Sequence, residues 1–145
     1  MLTTDQKGSA AELAIAHAAA EIGIGVYKPL TDGERYDLIL EAGARLFRVQ
    51  CKWAPRQGDT VIVRCYSCRR ARDGLRRRKY TAAEADAIAA YSPDLGRCFL
   101  IPASRFDGRA QVLLRVAPTR NNQRVGINWA EDFEFAARLR EFVGP

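Results

Sequence analysis

Two carboxylates, an amide and an amine are spaced through the first part of the chain as Glu12, Asp37, Gln50 and Lys52, the last two flanking Cys51. Anionic and carbonyl oxygens of this kind hold a divalent cation, and a nearby amine orients an attacking water and offsets charge on phosphate oxygens. The combination points to metal-dependent hydrolysis of a phosphodiester bond.

That chemistry requires the four groups to converge, and the flanking pattern says how. Residues 36–40 and 45–52 are alternating runs rich in β-branched and aromatic side chains, separated by Glu41-Ala42-Gly43-Ala44, which predicts a hairpin. A two- or four-residue turn would set Asp37 opposite Arg48, so that Asp37, Arg48, Gln50 and Lys52 share one face. Leu38, Leu40, Phe47, Val49 and Cys51 then take the other. Diagonal neighbours across such a pair lie roughly 7–8 Å apart, within reach of one ion. A slip of one residue would scatter the set.

Glu12 lies in residues 5–22, a run of Ala, Leu and Ile that predicts a largely buried helix. Two starts compete. Ser9-Ala10-Ala11-Glu12 is a capping box that would spend Glu12 on the backbone, whereas a start at Thr3-Thr4-Asp5-Gln6 leaves Glu12 well inside the helix and available for chemistry. His17, the only histidine, is read as a packed or partly exposed ring, because no nucleophile or second ligand pairs with it. Lys52 could instead be a strand-end lysine lying over Trp53.

Further along, residues 25–28 predict a short edge strand leading into Pro29, and residues 60–66 a third strand of the sheet after the turn at 55–59. Thr81-Ala82-Ala83-Glu84 is a second capping-box pattern, predicting a helix to Ala90 that Ser92-Pro93 stops. Strands are expected at 98–101 and 111–116, a polar loop at 119–124, and a final helix at 131–143 with Gly144-Pro145 at its end. Helix, strands, helix and strand in this order predict an α/β sandwich with a mixed sheet, in one domain spanning residues 1–145.

With these residues in this order, the chain resembles the PD-(D/E)XK nuclease superfamily, in which a helix glutamate, a strand aspartate and an acid-x-lysine pair form the active site. The match falls on Glu12, Asp37, Gln50 and Lys52. It is most similar to the homing-endonuclease-like branch, where glutamine replaces the second acid. The stretch Tyr80-Thr81-Ala82-Ala83-Glu84-Ala85-Asp86, then Ala89-Ala90-Tyr91 and Leu100-Ile101-Pro102, extend the resemblance over about residues 7 to 104. The resemblance implies a restriction-endonuclease-like sandwich, a mixed central sheet flanked by helices. It also implies a Mg²⁺ site, with Mn²⁺ as a substitute, built from Glu12, Asp37, Gln50 and the Cys51 carbonyl, with Lys52 orienting water. Glutamine supplies one anion fewer than glutamate, so more of the metal's binding falls on Asp37. The resemblance further implies a homodimer or homotetramer, with two sites acting on two strands.

Composition agrees. The 145 residues are 48% hydrophobic and carry a net charge of +6, with no apolar run that predicts a membrane span. No secretory signal is read at Met1-Leu2-Thr3-Thr4-Asp5-Gln6, so a cytoplasmic protein is expected. Seven basic residues, Arg69, Arg70, Arg72, Arg76, Arg77, Arg78 and Lys79, surround the single acid Asp73. This density suits a phosphate backbone and points to double-stranded DNA as partner; the alternative is a solvated, mobile loop. Cys65-Tyr66-Ser67-Cys68 has zinc-like spacing, but no second pair completes a ligand set, and the cysteines are read as small apolar residues in a reducing compartment. The leading reading is an endonuclease of duplex DNA, sequence-specific in the manner of a homing or mobile-element enzyme. A structure-selective nuclease of branched DNA and a DNA-binding protein with a decayed site stand as alternatives.

Overall fold

A computed structural model describes residues 1–143, with side chains through residue 141. Helix α1 (Thr4–Glu21) begins at the earlier of the two start signals: the Thr3 hydroxyl accepts from the Gln6 N–H at 3.2 Å, and the Gln6 side chain accepts from the Thr3 N–H at 2.9 Å. Both first-turn donors are thereby satisfied without Glu12. The helix ends at Gly23, whose φ of 78° lets the chain turn away while the Ile24 N–H bonds back to Ala19. Ala11, Ile15 and Ala19, spaced four apart, form its buried stripe.

The central sheet has five strands in the order β1-β2-β3-β8-β9: β1 (Gly25–Tyr27), β2 (Leu38–Ala42), β3 (Arg45–Trp53), β8 (Ala87–Ser92) and β9 (Arg97–Pro102). It is mixed, with β3 and β8 parallel and the other pairs antiparallel, and β1 is an edge strand as expected. Leu38, Leu40, Phe47, Val49 and Cys51 fall on one face, beneath α1 and α3 (Phe135–Val143). The hairpin turns at Gly43-Ala44, pairing Leu38 with Val49 and Ile39 with Arg48. This register lies two residues from the expected one, and a shift of two preserves the face of every side chain.

Three expectations are corrected. Residues 81–90 are not a helix. Thr81 to Glu84 make one turn closed by Glu84 and Ala85 N–H bonds to the Thr81 carbonyl, and the alanine run then becomes β8. A continuous apolar run fits a doubly buried strand as well as a helix, and Ala87, Ile88, Ala89 and Ala90, each no more than 3% exposed, are such a strand between β3 and β9. The expected third strand of the sheet, β5 (Thr60–Arg64), leaves it for a separate small sheet, ordered β10-β5-β4 with β4 (Arg56–Gln57) and β10 (Gln111–Arg115). Its Val61 and Val63 cover the other face of the central sheet over Ile88, Phe99 and Ile101, together with Phe106 of α2 (Ala103–Phe106). The last helix is broken: a 3₁₀ turn at Ala130–Phe133 precedes α3, because Glu134 is extended, bridges to Phe99 and caps α3 by accepting from the Ala137 N–H at 2.7 Å. Its expected stop at residues 144–145 lies outside the described residues.

The basic cluster is an antiparallel ribbon of β6 (Tyr66–Ala71) and β7 (Gly74–Lys79), joined at Arg72-Asp73. Gly74 takes a φ of 116°, so it serves the turn rather than a flexible loop.

Candidate active site

A cleft of ≈ 780 Å³ is lined by Glu12, Asp37, Gln50, Cys51 and Lys52, with Tyr66 and Cys68 also bordering it. All four residues singled out by type and spacing thus border one space. The sheet opens it. Strand β2 pairs with β3 only as far as Val49, whereas β8 continues alongside β3 to Trp53. The Arg48 carbonyl accepts from the Asp86 N–H on the β8 side, so alternation turns the peptide groups of Val49, Cys51 and Trp53 toward β2. Past Val49 no strand receives them. The Asp37 carboxylate does so instead, accepting from the Cys51 N–H at 2.9 Å, while its own N–H donates to the Val49 carbonyl at 2.9 Å. The Cys51 carbonyl is left facing the cleft.

Burial pushes the Asp37 carboxyl above its usual range; the Cys51 N–H opposes this, Glu12 reinforces it, and Lys52 and Lys28 work against it. Lys52 is pushed the other way: burial lowers its pKa, and the charge of Asp37 partly restores it. Its Nζ donates to the Tyr66 carbonyl at 2.8 Å and lies 5.0 Å from the Tyr80 ring centroid, not over Trp53 as the alternative reading had it. One donor is thereby fixed while two remain for the cleft. The Gln50 side chain makes no hydrogen bond among the described residues, which leaves its carboxamide oxygen available.

A divalent cation suits this arrangement. Two carboxylates, an amide oxygen and a carbonyl are hard oxygen donors, and burial and the neighbouring Glu12 raise the cost of charge on Asp37, which a cation would relieve. No cluster of three or more His, Cys, Asp or Glu side chains able to hold a metal occurs among the described residues, so a zinc set at Cys65 and Cys68 is not assembled. Cys65 is buried, with its thiol pushed up to about 11 by burial, and Cys68 is exposed. His17 is exposed on α1 and pairs with Glu21 at 3.0 Å.

Several participants had no local signal in sequence. Lys28, just past β1, donates to Glu12 at 2.6 Å. Arg48 lies on the expected face but is taken by Asp86, through its backbone N–H at 2.8 Å and its guanidinium at 3.2 Å. Arg35 holds Glu84, Ser67 Oγ and the carbonyls of Arg78 and Lys79. All are long-range contacts, invisible to a reading of neighbours along the chain.

Residues 2–136 match the family described as PD-(D/E)XK endonuclease. The chain belongs to that family. Among solved structures, this PD-(D/E)XK endonuclease is similar to the bacterial homing endonuclease I-Ssp6803I, with a TM-score of 0.75 and 25% identity over 95% of this chain and 93% of that one. No curated protein matches the sequence. The mixed central sheet and its helices are therefore those of a homing-endonuclease-like fold, and an endonuclease activity follows for the PD-(D/E)XK chain.

Proposed function

We propose that the protein is a Mg²⁺-dependent endodeoxyribonuclease hydrolysing phosphodiester bonds in duplex DNA, sequence-specific in the manner of homing or mobile-element enzymes and active as a homodimer or homotetramer. The carrying observation is the convergence of Glu12, Asp37, Gln50 and Lys52 on one cleft, with the Cys51 carbonyl turned into it. The structural likeness to a bacterial homing endonuclease supports the choice of substrate.

Asp37, the Gln50 amide oxygen, the Cys51 carbonyl and Glu12 would hold the cation. When bound, it supplies Lewis-acid polarisation of the scissile phosphate and a more acidic attacking water. Lys52, steadied by the Tyr66 carbonyl, points its remaining protons at the space where water and phosphate oxygens would sit, so it orients the nucleophile and stabilises charge as it develops. The basic ribbon of β6 and β7 adjoins the same cleft through Tyr66 and Cys68 and offers a phosphate-binding surface.

Incubating supercoiled plasmid and mixed-sequence linear duplex with and without Mg²⁺ tests the reading. Cleavage should require the metal, vanish in Asp37→Ala and persist in part in Gln50→Glu; a fully active Asp37→Ala enzyme would refute the assignment.

A further inference from the structure

The seven basic residues of the ribbon do not share a side. Pairing of Ser67 with Arg78, Arg69 with Arg76 and Ala71 with Gly74 puts these residues on one face. Pairing of Tyr66 with Lys79, Cys68 with Arg77 and Arg70 with Leu75 puts those on the other. We propose that the ribbon meets duplex DNA with the second face alone, Arg70, Leu75 and Arg77 entering the major groove, while the first face fastens the ribbon to the body of the protein.

On the fastened face two of the three cations, Arg76 and Arg78, are already paired, while Arg69 forms no hydrogen bond or ion pair among the described residues. Arg78 reaches Glu84 at 2.8 Å, Arg76 reaches Asp73 at 2.8 Å, and the half-buried Arg35 joins Ser67 Oγ at 2.7 Å to Glu84 at 3.1 Å. Arg35 also donates to the carbonyls of Arg78 and Lys79, so the ribbon's base is held from a residue two positions before Asp37. Glu84 lies below the usual carboxylate range: burial opposes this, but Thr81, Arg35 and Arg78 outweigh it.

The other face continues the catalytic cleft. Tyr66 and Cys68 line that cleft, and the Tyr66 carbonyl holds Lys52. Arg77 lies over the ring of Tyr66, 4.8 Å from its centroid, which puts its guanidinium beside a residue that lines the cleft, although Arg77 also borders the hollow with Arg69, Arg76 and Arg78. Arg70 forms no hydrogen bond or ion pair among the described residues, and Leu75 is 71% exposed. Lys79 shares the face but donates to the Gly108 carbonyl. Strands of six residues make a ribbon about 20 Å long, and a major groove about 12 Å wide admits two paired strands. Arginine and leucine side by side on such a ribbon suit guanine edges and thymine methyl groups.

The proposal rests on the nuclease reading, and two double variants that each remove two positive charges separate the two claims. Arg70→Ala with Arg77→Ala should weaken binding to mixed-sequence plasmid fragments by at least about tenfold and flatten its salt dependence, with Ca²⁺ replacing Mg²⁺ so that binding is read without cleavage. Arg69→Ala with Arg76→Ala should change affinity by less than about threefold, since the effect on the long-range field is the same and Arg76 loses only an exposed pair. Arg70→Gln with Arg77→Gln, checked by thermal melting, repeats the first arm with longer side chains. Equal losses in both arms, a greater loss in the second, or no loss in either while the wild type binds would overturn the face assignment and leave the nuclease reading standing. A wild type that neither binds nor cuts duplex DNA would overturn both.

Discussion

The 2.6 Å contact between Lys28 and Glu12 puts a cation of the protein where a metal-binding carboxylate would otherwise stand alone. The hydrogen bond and charge of Glu12 raise the Lys28 pKa, so the ammonium persists at neutral pH. A divalent cation must displace it to use that oxygen. Lys28→Ala is therefore expected to bind Mg²⁺ a few-fold more tightly in the absence of DNA, read by titration calorimetry; weaker binding would mean that Lys28 supports the site. Lys52 makes a different kind of contribution, since its partners are a carbonyl and an aromatic face rather than a carboxylate. Lys52→Ala should keep its melting temperature and DNA affinity but cut about 10²–10³-fold more slowly, the cost of one lost charge-stabilising donor. Unchanged cleavage in a folded variant would leave Lys52 a packing residue.

At the level of elements, the site depends on β8 lying parallel to β3, with β2 ending early. A parallel pair has no hairpin to set its register, and Arg48 with Asp86 supplies a clasp: the Asp86 carboxylate takes the Arg48 backbone and guanidinium while the Asp86 N–H bonds to the Arg48 carbonyl. The Asp86 pKa sits below its ordinary 3.8, because the Arg48 bonds outweigh the opposing effect of burial. A lowered folded pKa contributes stability that is present above the unfolded value and disappears as pH falls through the folded one. Asp86→Asn should thus cost about 1–2 kcal/mol at neutral pH, with the gap to wild type flat down to about pH 5 and closing below about pH 4 in urea titrations. A gap that widened in acid would show that Asp86 is not the clasp.

For the whole molecule, the central sheet is covered on one face by α1 and α3 and on the other by the small sheet with α2, so both hydrophobic clusters meet through β8 and β9. The ribbon projects beside the cleft and carries the densest positive charge of a chain whose net charge is +6. On the proposed reading one such cleft would address one strand of a duplex, and cutting both strands would call for two. Sedimentation equilibrium is expected to show dimers or tetramers, and double-strand breaks should appear at enzyme concentrations where these form. A monomer that cuts both strands concertedly would contradict this. No helix described here is long and apolar enough to cross a membrane.

Periodicity along the chain was enough to read α1, the β2–β3 hairpin and the common side of Asp37, Gln50 and Lys52, because a period of two along a strand is local and survives the register shift of two. The order of acid, acid, amide and lysine likewise pointed to the family without any contact being known. The alanines after Thr81 were not legible as β8: alanine has high helix propensity, and only burial between β3 and β9 makes them a strand. Nor were the departure of β5 into a second sheet, the Lys28–Glu12 contact, or the division of the basic residues between two sides of a ribbon. Each joins groups distant along the chain or depends on strand pairing, so its energy exists only once the chain has folded.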